Sequence, residues 1–268
     1  MRDDRAKGLL FGLAIGGAGI PTGASPLSEQ AAARFGTSTA NPPRPTYADS
    51  VQAALDHLDA LLNANAQPCH HERLASTKMA AADGNAVLLR AMLIGSLYRY
   101  NLEQMRQMIV TTLSIPTPGE AAAGLGVAYL TKLALDNAPP SGHLRAVFEV
   151  AGSLNENFDA ALRRVGHVLG WGDEAAALAH IGAGETDEEI VALALYCTMR
   201  YPNDLAAGVR RAGQISEVGS RLAGIVGGLL GARLGLNAIP TAWLQSCEEA
   251  AYLNALGSRL VQAWERGT

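Results

Sequence analysis

Aromatic residues are scarce in this chain, at 5% of its length, although 49% of its residues are hydrophobic. The apolar content is carried by Ala, Leu and other aliphatic residues, and no Val/Thr/Ile-rich alternation marks a half-buried strand. That balance favours closely packed helices over a sheet. Cysteine is nearly missing: Cys69, Cys197 and Cys247 stand far apart with no CxxC pair. A disulfide framework and a structural zinc are thereby excluded, and reduced thiols fit a cytoplasmic protein. Basic excess is missing as well. With 21 Lys and Arg against 25 Asp and Glu, the formal net charge is −4, which offers none of the positive stripe that nucleic acid requires. Long apolar runs also fall short: the stretch Leu222 to Leu236 contains Arg233 and stops below the roughly 20 residues of a membrane span. Residues 8–20 have the form of a short signal peptide after Arg2, Arg5 and Lys7, but Asp3 and Asp4 oppose that reading.

What is present is glycine in an unusual place. Gly224, Gly227, Gly228, Gly231 and Gly235 recur at three- and four-residue spacing inside the apolar stretch 216–240. Each costs about 1 kcal/mol relative to alanine in a helix, so five of them need a physical reason. Close approach supplies it, because a neighbouring helix or a ligand can come almost to the backbone. This stretch reads as the central helix of the fold.

The other elements follow from pattern. A first helix is expected over residues 3–15, ending at Gly16-Gly17. Residues 21–46 carry Pro21, Pro26, Pro42, Pro43 and Pro45 among many Ser and Thr, a long loop or lid able to cover a cleft or touch a protein partner. Val51, Ala54, Leu55, Leu58, Leu61 and Leu62 form one face of a helix over 48–63, with Asp49 and Ser50 at its start, where a carboxylate also serves as a plain cap. Asp83-Gly84-Asn85 reads as a turn before an apolar run over 86–98 whose Arg90 needs an anionic or carbonyl partner. Thr117-Pro118-Gly119-Glu120 and Thr186-Asp187-Glu188-Glu189 read as capping boxes. Asn157 and Asn203 are the expected caps of two later helices, residues 190–199 the most buried helix, and 241–264 one last helix. His70 and His71 sit in a polar loop, more in keeping with solvated histidines than metal ligands.

Several of these pieces, in order, resemble the ADP-ribosylglycohydrolase family, all-α hydrolases that remove ADP-ribose from proteins with two magnesium ions. Residues 4–16, Asp4-Arg5-Ala6-Lys7-Gly8 through Gly16, resemble the family opening D-R-x-x-G-x-L-x-G-L-A-I-G-D. Gly84 through Arg90 is similar to its G-N-G-A-A-M-R element, and residues 190–201 and 204–212 to its L-x-L-A-L-Y and F-x-x-A-L-R-x-A elements. Residues 225–243, ending in Ala238-Ile239-Pro240 and Trp243, resemble I-A-G-A-L-A-G-A-x-x-G-x-x-A-I-P-x-x-W. The resemblance implies a single all-α domain over residues 1–268.

The same resemblance implies altered chemistry. The family's G-D-T-D-T falls on Glu217-Val218-Gly219-Ser220-Arg221, so both aspartates are replaced, and its T-D-D-T falls on Ala48-Asp49-Ser50-Val51, so one carboxylate of two remains. Other acidic or histidine positions of the family fall on Gly17, Gly23 and Ile115. Magnesium wants hard oxygen ligands in octahedral array, and Asp49 with Ser50, facing Val218, Ser220 and Arg221, is a poor set for two ions. No cofactor is expected unless Asp49 and Ser50 suffice for magnesium. Arg221 would neutralise Asp49 or bind a phosphate.

Two functions therefore compete. In the first, the inherited cleft binds an ADP-ribose-like small molecule, an ADP-ribosylated protein or another protein partner, with Gly84, Asn85, Ser50, Ser220 and Arg221 as ligand contacts. In the second, the chain is a metal-independent hydrolase of an ADP-ribosyl or nucleotide-sugar substrate. Asp83 and Glu217 are the preferred acid or base there, with Asp49, Glu185, Asp187 and Glu188 as further carboxylates.

Overall fold

The computed structural model describes residues 2–18, 49–65, 84–112, 117–215, 219–247 and 249–267, excluding the side chains of Asp49, Asn65, Gly84, Asn85 and Thr112. The loop expected over 21–46, the histidines His70 and His71, and Asp83, Glu217 and Val218 lie outside the described residues. Among the described residues there are thirteen α-helices and no strand. In chain order these are α1 (Arg2–Gly17), α2 (Asp49–Asn65), α3 (Gly84–Leu97), α4 (Leu102–Thr112), α5 (Pro118–Leu135) and α6 (His143–Ala151). They continue as α7 (Glu156–Val168), α8 (Glu174–Ile181), α9 (Asp187–Arg200), α10 (Leu205–Gly213), α11 (Gly219–Leu234), α12 (Thr241–Gln245) and α13 (Ala250–Arg266). The fold is all-α, and one continuous apolar core runs through it from Ala6 to Trp264. None of these helices is long and apolar enough to cross a membrane.

α11 is the centre. It packs most extensively on α1 and also on α10, α9 and α5. Gly8 lies against Gly231, Gly12 against Gly227 and Gly16 against Ala223, so the two helices run antiparallel with their backbones touching. A methyl group on Gly12 or Gly227 would collide with the carbonyl of the opposite helix. The glycine stripe thus serves a helix contact.

The opening Asp-Arg pair fastens the same arrangement. Asp4 accepts hydrogen bonds from the Leu236 backbone N–H at 3.2 Å and from Asn237 Nδ2 at 3.3 Å, and Arg5 donates to the Leu135 carbonyl at 3.1 Å. α1 is therefore tied to the turn after α11 and to the end of α5. α9 fills the bundle on another side of α11, with every residue from Ile190 to Thr198 buried.

Local chemistry sets most boundaries, with some corrections. The Thr117 box is complete: Thr117 Oγ1 accepts from the Glu120 N–H at 3.2 Å while Glu120 accepts from the Thr117 N–H at 2.8 Å. At α9 only half of the expected box forms. Thr186 accepts from the Glu189 N–H at 3.3 Å, but the Glu189 carboxylate turns to the Gly184 and Glu185 N–H groups, because a tight turn presents two free donors there. Asn155, rather than Asn157, caps α7 through the Phe158 N–H at 2.9 Å, and Asp204, rather than Asn203, caps α10. The expected turn at Gly84-Asn85 is already helical, as the first turn of α3. The last helix is two, α12 and α13, separated near Ser246, whose hydroxyl donates back to the Trp243 carbonyl at 2.8 Å.

Candidate functional site

Three helix N-termini, those of α5, α9 and α11, come together. Gly119 in the first turn of α5 lies so close to the Glu188 carboxylate of α9 that a methyl group there would collide with it. Asp187, the first residue of α9, accepts a hydrogen bond from Arg221 Nη2 of α11 at 2.7 Å. Both side chains are largely withdrawn from solvent, at 12% exposure for Arg221 and 15% for Asp187. Each helix start contributes partial positive charge, which explains why acidic residues gather there.

The electrostatics of Asp187 are unlike those of an ordinary cap. Burial pushes its carboxyl above the usual carboxylate range; Arg221 pulls the other way, and Glu120 and Glu188 push it up further. A buried acid with a specific charged partner is a functional-site candidate where it faces a cleft. Its neighbours Glu188 and Glu189, though not Asp187 itself, line a cleft of about 170 Å³ with Asn157, Ala160, Arg164 and Thr186.

The sequence-predicted residues divide between two places. Asp49 and Ser50 open α2, and Gly84 and Asn85 open α3, which packs on α2. Ser220 and Arg221 open α11, where Ser220 is exposed and Gly219 is pressed against the Gly213 backbone at the end of α10. Glu185 is exposed and holds its N–H toward Glu189. Deeper between α2 and α3, Arg90 is buried as the sequence led one to expect, at 5% exposure. His57 on α2 lies near it, and burial first, then the Arg90 charge, lowers the imidazole pKa to about 4. That histidine is neutral at physiological pH. Among the described residues its buried Nε2 has no hydrogen-bond partner.

Asp187 was one of several carboxylates visible in the sequence, yet nothing there singled it out. Asp187-Glu188-Glu189 after Thr186 has the ordinary look of a helix start, and its partner Arg221 lies 34 residues away. Only the crossing of α9 and α11 joins them.

The family's sequence model, ADP-ribosylglycohydrolase, matches residues 1–268. The chain belongs to the ADP-ribosylglycohydrolase family. Among solved structures, one described as an ADP-ribosylglycohydrolase-related protein complex is similar with a TM-score of 0.69 and 23% identity, covering 98% of each chain. At that identity the likeness shows the fold. Among curated proteins, none matches the chain in sequence.

For an ADP-ribosylglycohydrolase, the question at the three helix starts is whether the residues suit two magnesium ions. Among the described residues no group of three or more His, Cys, Asp or Glu side chains gathers as a metal cluster would. The aligned metal motif ends on Arg221, whose guanidinium is engaged in an ion pair with the Asp187 carboxylate. A cation beside a buried acid does not fit hard-cation coordination.

Proposed function

We propose that this ADP-ribosylglycohydrolase-family protein has lost the dinuclear magnesium site and works by binding an ADP-ribose-like ligand or an ADP-ribosylated protein. The observation that carries this reading is the buried Arg221–Asp187 pair at 2.7 Å. A fixed guanidinium supplies positive charge where divalent ions would otherwise stand, and its planar fork suits a diphosphate bidentately. Gly84 and Asn85 at the start of α3, and Ser50 and Ser220 at the starts of α2 and α11, are the further contacts this reading assigns. No cofactor takes part, since Asp49 with Ser50 would be the whole inherited magnesium set.

Calorimetric titration with ADP-ribose tests the proposal. Equal affinity in EDTA and in magnesium is expected, with binding weakened in Arg221→Ala and partly kept in Arg221→Lys. Binding that appears only with magnesium, or that is unchanged in Arg221→Ala, would overturn it.

A second reading has its own support. A carboxyl pushed up by burial is suited to protonating a leaving oxygen or nitrogen, so Asp187 makes a metal-independent glycosidic hydrolase the alternative. Turnover of a nucleotide sugar in EDTA, abolished in Asp187→Asn, would establish it. Asp83→Asn and Glu217→Gln test the two acids that the sequence favours, and Asp49→Asn the remaining one. A protein partner held through residues 21–46 is a further form of the binding function: deleting that segment would remove partner binding and leave the helical fold intact.

A further inference from the structure

Away from the helix starts, three exposed rings gather where α7 and α8 end. His167 occupies the last turn of α7, His180 the last turn of α8, and Trp171 the connection between them. The two imidazole centroids are 6.1 Å apart, and the Trp171 ring is 5.2 Å from that of His180.

Coordination geometry gives this spacing a meaning. A metal bound to an imidazole nitrogen at about 2.0–2.1 Å sits roughly 3.2 Å from the ring centre, so two exposed rings with centres within about 6.4 Å can share one ion once side-chain rotation aims a nitrogen of each at it. The observed 6.1 Å is inside that limit. Both histidines also stand at helix C-termini, whose free carbonyls and dipoles favour a cation. Both rings are open to solvent, so an ion can enter and leave.

We propose that His167 and His180 form a two-imidazole site for a divalent transition-metal ion, with Trp171 at its edge. Two nitrogen ligands completed by water suit Cu²⁺, Ni²⁺ or Zn²⁺ and not magnesium or calcium, and Cu²⁺ binds such a pair most tightly. No third His, Cys, Asp or Glu completes a cage among the described residues, so the site is exchangeable and does not hold the fold together.

Trp171 supplies the readout, since paramagnetic Cu²⁺ quenches a nearby indole, whereas Trp243 and Trp264 are buried elsewhere, at 5% and 4% exposure. The titration uses the full chain carrying His70→Ala and His71→Ala, which removes those two histidines as competing ligands. Cu²⁺ is expected to quench the emission, EDTA to restore it, and magnesium to have no effect. His167→Ala and His180→Ala should each weaken Cu²⁺ binding by at least about tenfold, because either change removes the chelate, and Trp171→Phe should abolish the quenched component. Quenching that persists unchanged in either histidine variant, or in Trp171→Phe, would overturn the assignment. Since all three side chains are exposed, circular dichroism should show the same helix content in every variant.

Discussion

At the scale of single residues, two buried groups carry testable electrostatics. His57 titrates at about 4 in the folded chain against 6.5 ordinarily. A depressed folded pKa means that the stability it contributes is fully present above pH 6.5 and is lost as pH falls through 4. The loss amounts to about 3 kcal/mol over that window. Urea denaturation between pH 7 and pH 4 should show the decline, and His57→Leu should flatten it by that amount. Asp187 and Arg221 form the other case. Arg221→Met leaves the largely buried Asp187 carboxylate beside Glu120 and Glu188 without the Arg221 guanidinium and is expected to cost about 3 kcal/mol, and Asp187→Asn tests the other member of the pair. A double-mutant cycle should return a coupling of about 2 kcal/mol. Additive losses would mean that the two side chains do not depend on each other.

At the scale of elements, the glycine helix was the most legible feature: Gly224, Gly227, Gly228 and Gly231 inside α11 leave close approach as the physical explanation, while Gly235 lies just past its end at a φ of +87°. What the sequence left open was whether a helix or a ligand makes the approach, and α1 against α11 answers it. Gly227→Ala should destabilise the fold by about 3 kcal/mol through overpacking against the Gly12 carbonyl. Gly142→Ala offers the contrast, since nothing lies within 4 Å of an added methyl and its φ of −94° is ordinary. It should stabilise the chain by about 0.5 kcal/mol through the unfolded state. Thermal unfolding of the two variants distinguishes these effects. Helix caps were legible where one residue alone suited the role, as at Thr117. They were misplaced by one or two positions where Asn155 competes with Asn157, or Asp204 with Asn203, because the choice depends on which backbone turn the packing allows. α4 and α8 are short, and their apolar faces are too brief to stand out from the surrounding sequence.

At the scale of the whole molecule, fold and chemistry were not equally legible. Ordered motifs along the chain determine how α1, α9 and α11 pack, and those contacts depend on small residues and aliphatic faces that the sequence displays directly. The site depends instead on which side chains meet across helices far apart in sequence. That Arg221 would find Asp187 follows only from the junction of α9 with α11. The central claim is that this family member binds without magnesium chemistry, and release of ADP-ribose from an ADP-ribosylated protein tests it most directly. Measured in magnesium and in EDTA, the account predicts no metal-dependent release and ADP-ribose binding of equal strength in both. Clear release stimulated by magnesium and abolished by EDTA would contradict it.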